Sequence, residues 1–168
     1  MKFKLRPYQE EASKKAVEFF LDKKKNWNAL EVLPTASGKS LILADIAARL
    51  KDKVLVFSPT KEILEQNYKK YCSYGFDNAS IYSASFKSKE ISDVTFATIG
   101  SVKGHPELFT DFKYILIDEV HLVKPESGMY KEFLDKLKSK DIGLTATPFR
   151  LYSYQNYGSI LKFLTRSR

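Results

Sequence analysis

The sequence predicts an α/β fold: a mostly parallel central sheet with helices on both faces. Two observations carry this. Short apolar runs alternate with helical stretches along the 168 residues, which is the signature of crossover units and a parallel sheet. The runs VLVF (54–57) and YILI (114–117) are also continuously apolar rather than alternating, as central parallel strands buried on both faces require.

Each element follows from its residues. Residues 8–24 read as a helix with Tyr8, Ala12, Ala16, Phe19 and Phe20 near one face. NALEVL (28–33) reads as a short buried strand. Leu43, Ile46, Ala47 and Leu50 recur at helical spacing, so 38–51 is expected to be helical. VLVF is followed by a helix over 61–74. ASIYSA (79–84) and DVTFAT (93–98) are strand candidates, and the polar, basic SASFKSKE (83–90) reads as a loop. YILID (114–118) is the clearest buried strand. Met129, Phe133, Leu134 and Leu137 line a further helix face, and IGLTA (142–146) is a last short strand. Trp27 and the helix aromatics are expected in the core.

Composition narrows the function classes. At 43% hydrophobic and 29% charged residues the chain is globular rather than disordered. The net charge of +8 suits a polyanionic partner, or simply a lysine-rich soluble surface. The one cysteine, Cys72, excludes an internal disulfide and a Cys-rich metal site, and is expected as a half-buried small apolar residue. No apolar run approaches the ~20 residues of a membrane span, and MKFKLRPYQ has no signal-peptide core, so a soluble, cytoplasmic protein with no membrane partner is expected. From Arg150 onward the chain has Arg150, Lys162, Arg166 and Arg168, three tyrosines and no acid. This tail reads first as a linker or docking helix and second as a nucleic-acid contact.

The sharpest chemical signal is Leu33-Pro34-Thr35-Ala36-Ser37-Gly38-Lys39-Ser40, which follows a strand and opens a helix. Backbone N–H groups of Thr35, Ala36, Ser37 and Gly38 can face phosphates there, favoured by the helix dipole. Lys39 can reach the β- and γ-phosphates and the Ser40 hydroxyl can coordinate Mg²⁺. The general pattern has Gly where Leu33 stands. Asp118 and Glu119 end a buried strand 79 positions after Lys39, where ligands sit in such sheets. Asp118 can hold Mg²⁺, largely through water, and Glu119 can polarise a water for attack on the γ-phosphate. A lone Asp-Glu pair would be only a solvated turn; the phosphate loop before it makes the difference.

These residues belong to a longer series. Leu5-Arg6-Pro7-Tyr8-Gln9 resembles a Q motif, LPTASGKS motif I, and SPTKEILEQ (58–66) motif Ia. TFATIGSV (95–102) resembles motif Ib, Asp118-Glu119-Val120-His121 a DExH-box motif II, and LTATP (144–148) motif III. Together, in order over residues 5–150, they resemble the superfamily 2 helicases and translocases. LRPYQ and GLTATPFR are similar to the branch holding RadD-type DNA repair ATPases, UvsW-type phage helicases and type III restriction translocating subunits.

The resemblance implies a RecA-like P-loop NTPase domain over 1–150, with 151–168 leading to a second RecA-like domain. It implies ATP and Mg²⁺ as cofactors, and Lys39, Asp118 and Glu119 as the catalytic set. Gln9, helped by Arg6, would recognise adenine; without the resemblance Arg6-Pro7 reads only as a helix start. His121 would couple nucleotide state to the partner domain or to motif III. Thr145 and Thr147 would relay it to the nucleic-acid face, or they terminate the last strand. Pro59, Thr60, Lys61, Thr98 and Ser101 match positions that touch the nucleic-acid backbone. Thr60 reads equally well as a helix N-cap. Ala36 stands where the family commonly has Gly, and keeps its N–H donor.

The resemblance favours DNA over RNA, and roles in repair, recombination, restriction or phage replication. In the last case the protein would be phage-encoded and act in the host cytoplasm. No counterpart of motifs IV to VI, with their transition-state arginine, follows Thr147. The expectation is half of a motor, weakly active alone, with the second domain in the same full-length chain or a partner. Two alternatives stand beside it: a non-catalytic nucleic-acid-binding or scaffold module that keeps the fold, and a P-loop kinase or transporter-type ATPase.

Overall fold

The computed structural model describes residues 4–24, 29–33, 38–119, 129–137, 139–145 and 159–161. Chain order is α1 (Pro7–Leu21), β1 (Ala29–Val32), α2 (Lys39–Leu50), β2 (Val54–Phe57), α3 (Lys61–Ser73), β3 (Ala79–Ser83), a 3₁₀ turn (Ala84–Phe86), β4 (Ser88–Lys89), β5 (Val94–Ala97), α4 (Ile99–Val102), a second 3₁₀ turn (Pro106–Phe109), β6 (Tyr114–Ile117), α5 (Met129–Leu137), β7 (Lys140–Thr145) and β8 (Ser159–Leu161).

Helix starts and stops follow local chemistry. Pro7 opens α1, where its missing N–H is no loss, and Gln9 Oε1 accepts from the Arg6 N–H at 2.9 Å. The C-terminal carbonyls of α1 are met from far along the chain. Lys140 Nζ donates to Phe19 O at 2.8 Å and to Asp22 O. Thr60 caps α3, its Oγ1 accepting from Ile63 N at 3.2 Å.

The sheet order is β4-β3-β5-β2-β6-β7-β1-β8, and every pairing is parallel except β3 with β4. Side chains alternate between two cores. On one face Ala29, Leu33, Val54, Val56, Phe96, Leu116, Ile142 and Leu144 pack with apolar residues of α1, α2 and α3. On the other, Leu30, Val32, Leu55, Phe57, Ile115 and Ile117 pack with α4, Phe109, Phe112 and the α5 residues Phe133 and Leu137. Edge-on rings tie this second core together, with Phe57–Phe133 at 5.6 Å and Tyr82–Phe109 at 5.2 Å. Sheet and helices together form the α/β, RecA-like arrangement expected.

Three local expectations are corrected. Tyr8 is 37% exposed, and Gln9 is the buried residue of that turn, because its amide is anchored to Arg6 and packs against Gly38. Residues 84–89 are a 3₁₀ turn and an antiparallel edge strand rather than a loop, held by Tyr82↔Lys89 and Ser83↔Ser88. In the tail expected as a linker or docking helix, Ser159–Leu161 is instead a strand parallel to β1, pairing Leu30 with Ile160. Cys72 is half-buried and free, as expected. Trp27 lies outside the described residues, and Met129 belongs to α5.

Two carboxyls are buried within strands of the sheet. Glu31, within β1, is fully buried with neither carboxylate oxygen partnered among the described residues, and burial raises its pKa well above the ordinary carboxylate range. Asp141, near the start of β7, is 5% exposed, and burial, with a smaller contribution from Asp135, raises it to about 7. Among the described residues no helix is long and apolar enough to cross a membrane.

Candidate active site

The C-terminal ends of β1, β2, β6 and β7 lie side by side, and the first turn of α2 begins just past β1. Gly38 is the N-cap of α2 with φ +76°, a left-handed conformation that Gly adopts without a Cβ penalty. A Cβ there would collide with Gln9 Nε2. The structure therefore brings the Gln9 amide against Gly38 at the start of α2. Lys39 and Ser40 follow as the first helical residues, where N–H groups and the helix dipole favour an anion.

Asp118 and Glu119 arrive from the opposite direction. β6 pairs with β2, and the ladder continues one step beyond it, with Asp118 N donating to Phe57 O at 2.8 Å. Leu116 packs on the α1–α3 face, so by the two-residue strand period Asp118 projects to that face too, towards α2 and α3. It is buried. Lys39 Nζ is 3.0 Å from Asp118 Oδ1 and is ion-paired and hydrogen-bonded to Glu119 Oε2. Glu119 itself has φ +50°, and its N–H donates to Asp118 Oδ1 at 2.9 Å. A non-Gly residue held there stores strain of about 1–3 kcal/mol, a hallmark of functional turns. The three residues named as catalytic thus meet at one point, although 80 positions separate Lys39 from Glu119.

Ser40 and Asp118, the expected Mg²⁺ ligands, share one neighbour that the sequence reading did not single out. Asn67 of α3 donates through Nδ2 to Asp118 Oδ2 at 2.7 Å and to Ser58 Oγ at 3.3 Å, and its Oδ1 accepts from Ser40 Oγ at 3.4 Å. Its signal was present in the sequence: a polar residue between Leu64 and Tyr71 on an otherwise apolar stripe. A hydroxyl and a carboxylate are hard oxygen donors of the kind Mg²⁺ takes. Among the described residues no group of three or more His, Cys, Asp and Glu could hold a metal ion.

The expected nucleic-acid contacts gather on the same sheet end, one strand over. Pro59, Thr60 and Lys61 follow β2, and Thr98 and Ser101 follow the adjacent β5. Thr60 and Lys61 are exposed, and Pro59, Thr98 and Ser101 half-buried. The hydroxyls of Thr98 and Ser101 lie 3.0 Å apart, and Ser101 Oγ accepts from Ala84 N at 3.0 Å, so Ser101 also braces the turn after β3. Thr145, expected to relay nucleotide state, is fully buried, and its carbonyl accepts from Leu33 N at 2.8 Å. This ties the end of β7 to the chain leaving β1. Arg6 is exposed at the start of α1. Thr35, Ala36, Ser37, His121 and Thr147 lie outside the described residues.

Comparison with known proteins bears on the family and the fold. A DNA 3'-5' translocase, XPB2, of Sulfurisphaera tokodaii is 31% identical over 152 residues, covering 89% of this chain. The chain spans only 32% of that protein's length. The UvsW helicase of bacteriophage T4 superposes with a TM-score of 0.74 at 22% identity, over 95% of this chain and 60% of that one. A Sulfolobus solfataricus SWI2/SNF2 ATPase core, solved with double-stranded DNA, gives 0.69 at 22% identity, over 89% of this chain and 33% of that one. The family described as type III restriction enzyme, res subunit, matches residues 2–150. The chain belongs to that family, as an N-terminal RecA-like domain of the superfamily 2 helicases and translocases.

Proposed function

We propose that this chain is the ATP-binding half of a nucleic-acid-dependent motor, a helicase or translocase working on DNA. The observation that carries the reading is the meeting of Lys39 with Asp118 and Glu119 beside the first turn of α2. In this arrangement Lys39 neutralises the two carboxylates. When phosphates take their place at the N-terminus of α2, Lys39 turns to them. That transfer releases Glu119 to orient an attacking water and accept its proton. Magnesium, held by Ser40 and Asp118, supplies charge neutralisation at the β- and γ-phosphates when bound. Gln9 holds the adenine side, against Gly38.

The remaining transition-state charge is assigned to a second RecA-like domain, in the same polypeptide or a partner. The choice of DNA is supported by the relatives named as a DNA translocase and solved on double-stranded DNA, while the +8 net charge suits either polyanion. Motion would follow from different strand contacts at motifs Ia and Ib in different nucleotide states.

The test is ATP turnover with and without single-stranded DNA, duplex DNA and RNA, by this chain and by protein carrying both domains, against Lys39→Ala. The expected result is a Mg·ATP-dependent rise in melting temperature, little turnover by this chain alone, and DNA-stimulated turnover with both domains that Lys39→Ala abolishes. Lys39-independent turnover, or no thermal shift with Mg·ATP, refutes the reading. Stronger stimulation by RNA overturns the choice of polymer.

A further inference from the structure

Asn67 is 6% exposed on a helix face whose other buried residues, Leu64 and Tyr71, join the apolar core. A buried amide is tolerated only where its donors and acceptor are met. Among the described residues its partners are Ser40, Ser58 and Asp118, all at the C-terminal end of the sheet. Asp118, when ionised, can only accept, so it faces the NH₂ end of the amide, 2.7 Å away. That fixes the other end: Oδ1 faces Ser40, whose hydroxyl must therefore donate to it. A serine hydroxyl has one hydrogen. Directed at Asn67, it leaves the lone pairs of Oγ for a cation. The same amide pins Asp118 Oδ2, while Glu119 N and Lys39 hold Oδ1 at 2.9 and 3.0 Å. One side chain thus sets both oxygens expected to bind the metal, and its link to Ser58 at 3.3 Å anchors it to the end of β2.

We propose that Asn67 is a positioning residue for magnesium: it orients Ser40 and Asp118 so that Mg·ATP binds more tightly than ATP alone. This rests on the nucleotide-site reading above. An apolar side chain of similar volume preserves the packing and removes the orientation. Groups that orient metal ligands commonly contribute 10- to 100-fold in metal affinity.

The test measures ATP binding by calorimetry to the 168-residue chain, once with Mg²⁺ and once with EDTA, for the parent, Asn67→Leu and Asn67→Ser. The ratio of the two affinities reports metal coordination, and a merely structural role would not move it. The expected result is an unchanged affinity in EDTA and a loss of about tenfold or more in the Mg²⁺ enhancement for both variants. Asn67→Ser keeps a small polar group in the site, so it carries the comparison if the leucine variant does not fold. A Mg²⁺ enhancement equal to the parent's in a folded variant, or equal losses with and without Mg²⁺, overturns the role of Asn67 alone. A parent that binds ATP no better with Mg²⁺ than without overturns the magnesium site itself, and the role of Asn67 with it.

Discussion

Asp141→Asn is expected to stabilise the protein at alkaline pH and to leave it unchanged in acid. Asp141 is buried with its Oδ2 unpartnered among the described residues, and its pKa is raised from an ordinary 3.8 to about 7. The folded state therefore holds the proton more tightly than the unfolded chain does. Stability from this residue is intact below the unfolded pKa and falls as the pH rises from about 4 to about 7. At about 1.4 kcal/mol per pH unit, that window amounts to a penalty of about 4 kcal/mol above neutrality. This is a large share of the roughly 5–15 kcal/mol that holds a domain together. An amide is uncharged throughout and abolishes the penalty. With a urea m-value of about 2 kcal/mol/M, the midpoint should rise by about 2 M at pH 8.5 and move little near pH 3.5. Asp141 projects to the α5 face and lies four residues, about 13 Å, before the site end of β7, so nucleotide binding should not change. A variant no more stable than the parent at pH 8.5, or a gain equal at both pH values, would refute the argument.

Glu119→Gln removes the carboxylate proposed to activate water, and with it one negative charge facing Lys39, while keeping the side chain's shape. Nucleic-acid-stimulated turnover in protein with both domains should fall at least 100-fold, with Mg·ATP binding retained, as steady-state kinetics and calorimetry together would show. Gly38→Ala puts a Cβ at φ +76° and into Gln9 Nε2, so denaturation should show a loss of about 1–2 kcal/mol, and ATP titration weaker binding. Glu31→Leu replaces a buried carboxyl with no partner among the described residues. Its raised pKa predicts a stability gain that grows with pH above the ordinary carboxylate range, measured by urea melts at pH 5 and 8. Thr60→Ala loses the N-cap of α3, about 1 kcal/mol by thermal melting, and should weaken DNA binding in a salt titration without altering ATP affinity.

Much of this was legible because the relevant forces are local. Val54–Phe57 appears with the boundaries its apolar run predicts, and Pro7, Gly38 and Thr60 mark three helix starts through their own backbone and capping chemistry. Lys39, Ser40, Asp118 and Glu119 were readable as residue types in a required order. What escaped depends on distant partners. Gln9 rather than Tyr8 is buried because an amide can be satisfied by the backbone next to it, which counting apolar residues cannot register. β8 exists through its pairing with β1, some 130 positions away, and nothing in Ser-Ile-Leu by itself asks for a strand. Asn67 looked like an interruption in an apolar stripe until Asp118 and Ser40 supplied its partners.

The sheet order has a consequence for how the molecule assembles. β1 and β2 are consecutive strands in the chain, yet β6 and β7 lie between them, and among the described residues β1 pairs only with β7 and β8. During synthesis the strand that carries the phosphate loop waits, with both edges open, until the last quarter of the chain appears. Leu30 has no strand partner before Gly143 and Ile160. Contacts this far apart in sequence form late, after a long loop-closure search, and an unpaired apolar strand is exposed to other chains meanwhile. The proposed nucleotide site is therefore among the final features to form. ATP added during refolding should trap completed molecules without hastening the search, and early truncated chains will be aggregation-prone before they are merely inactive.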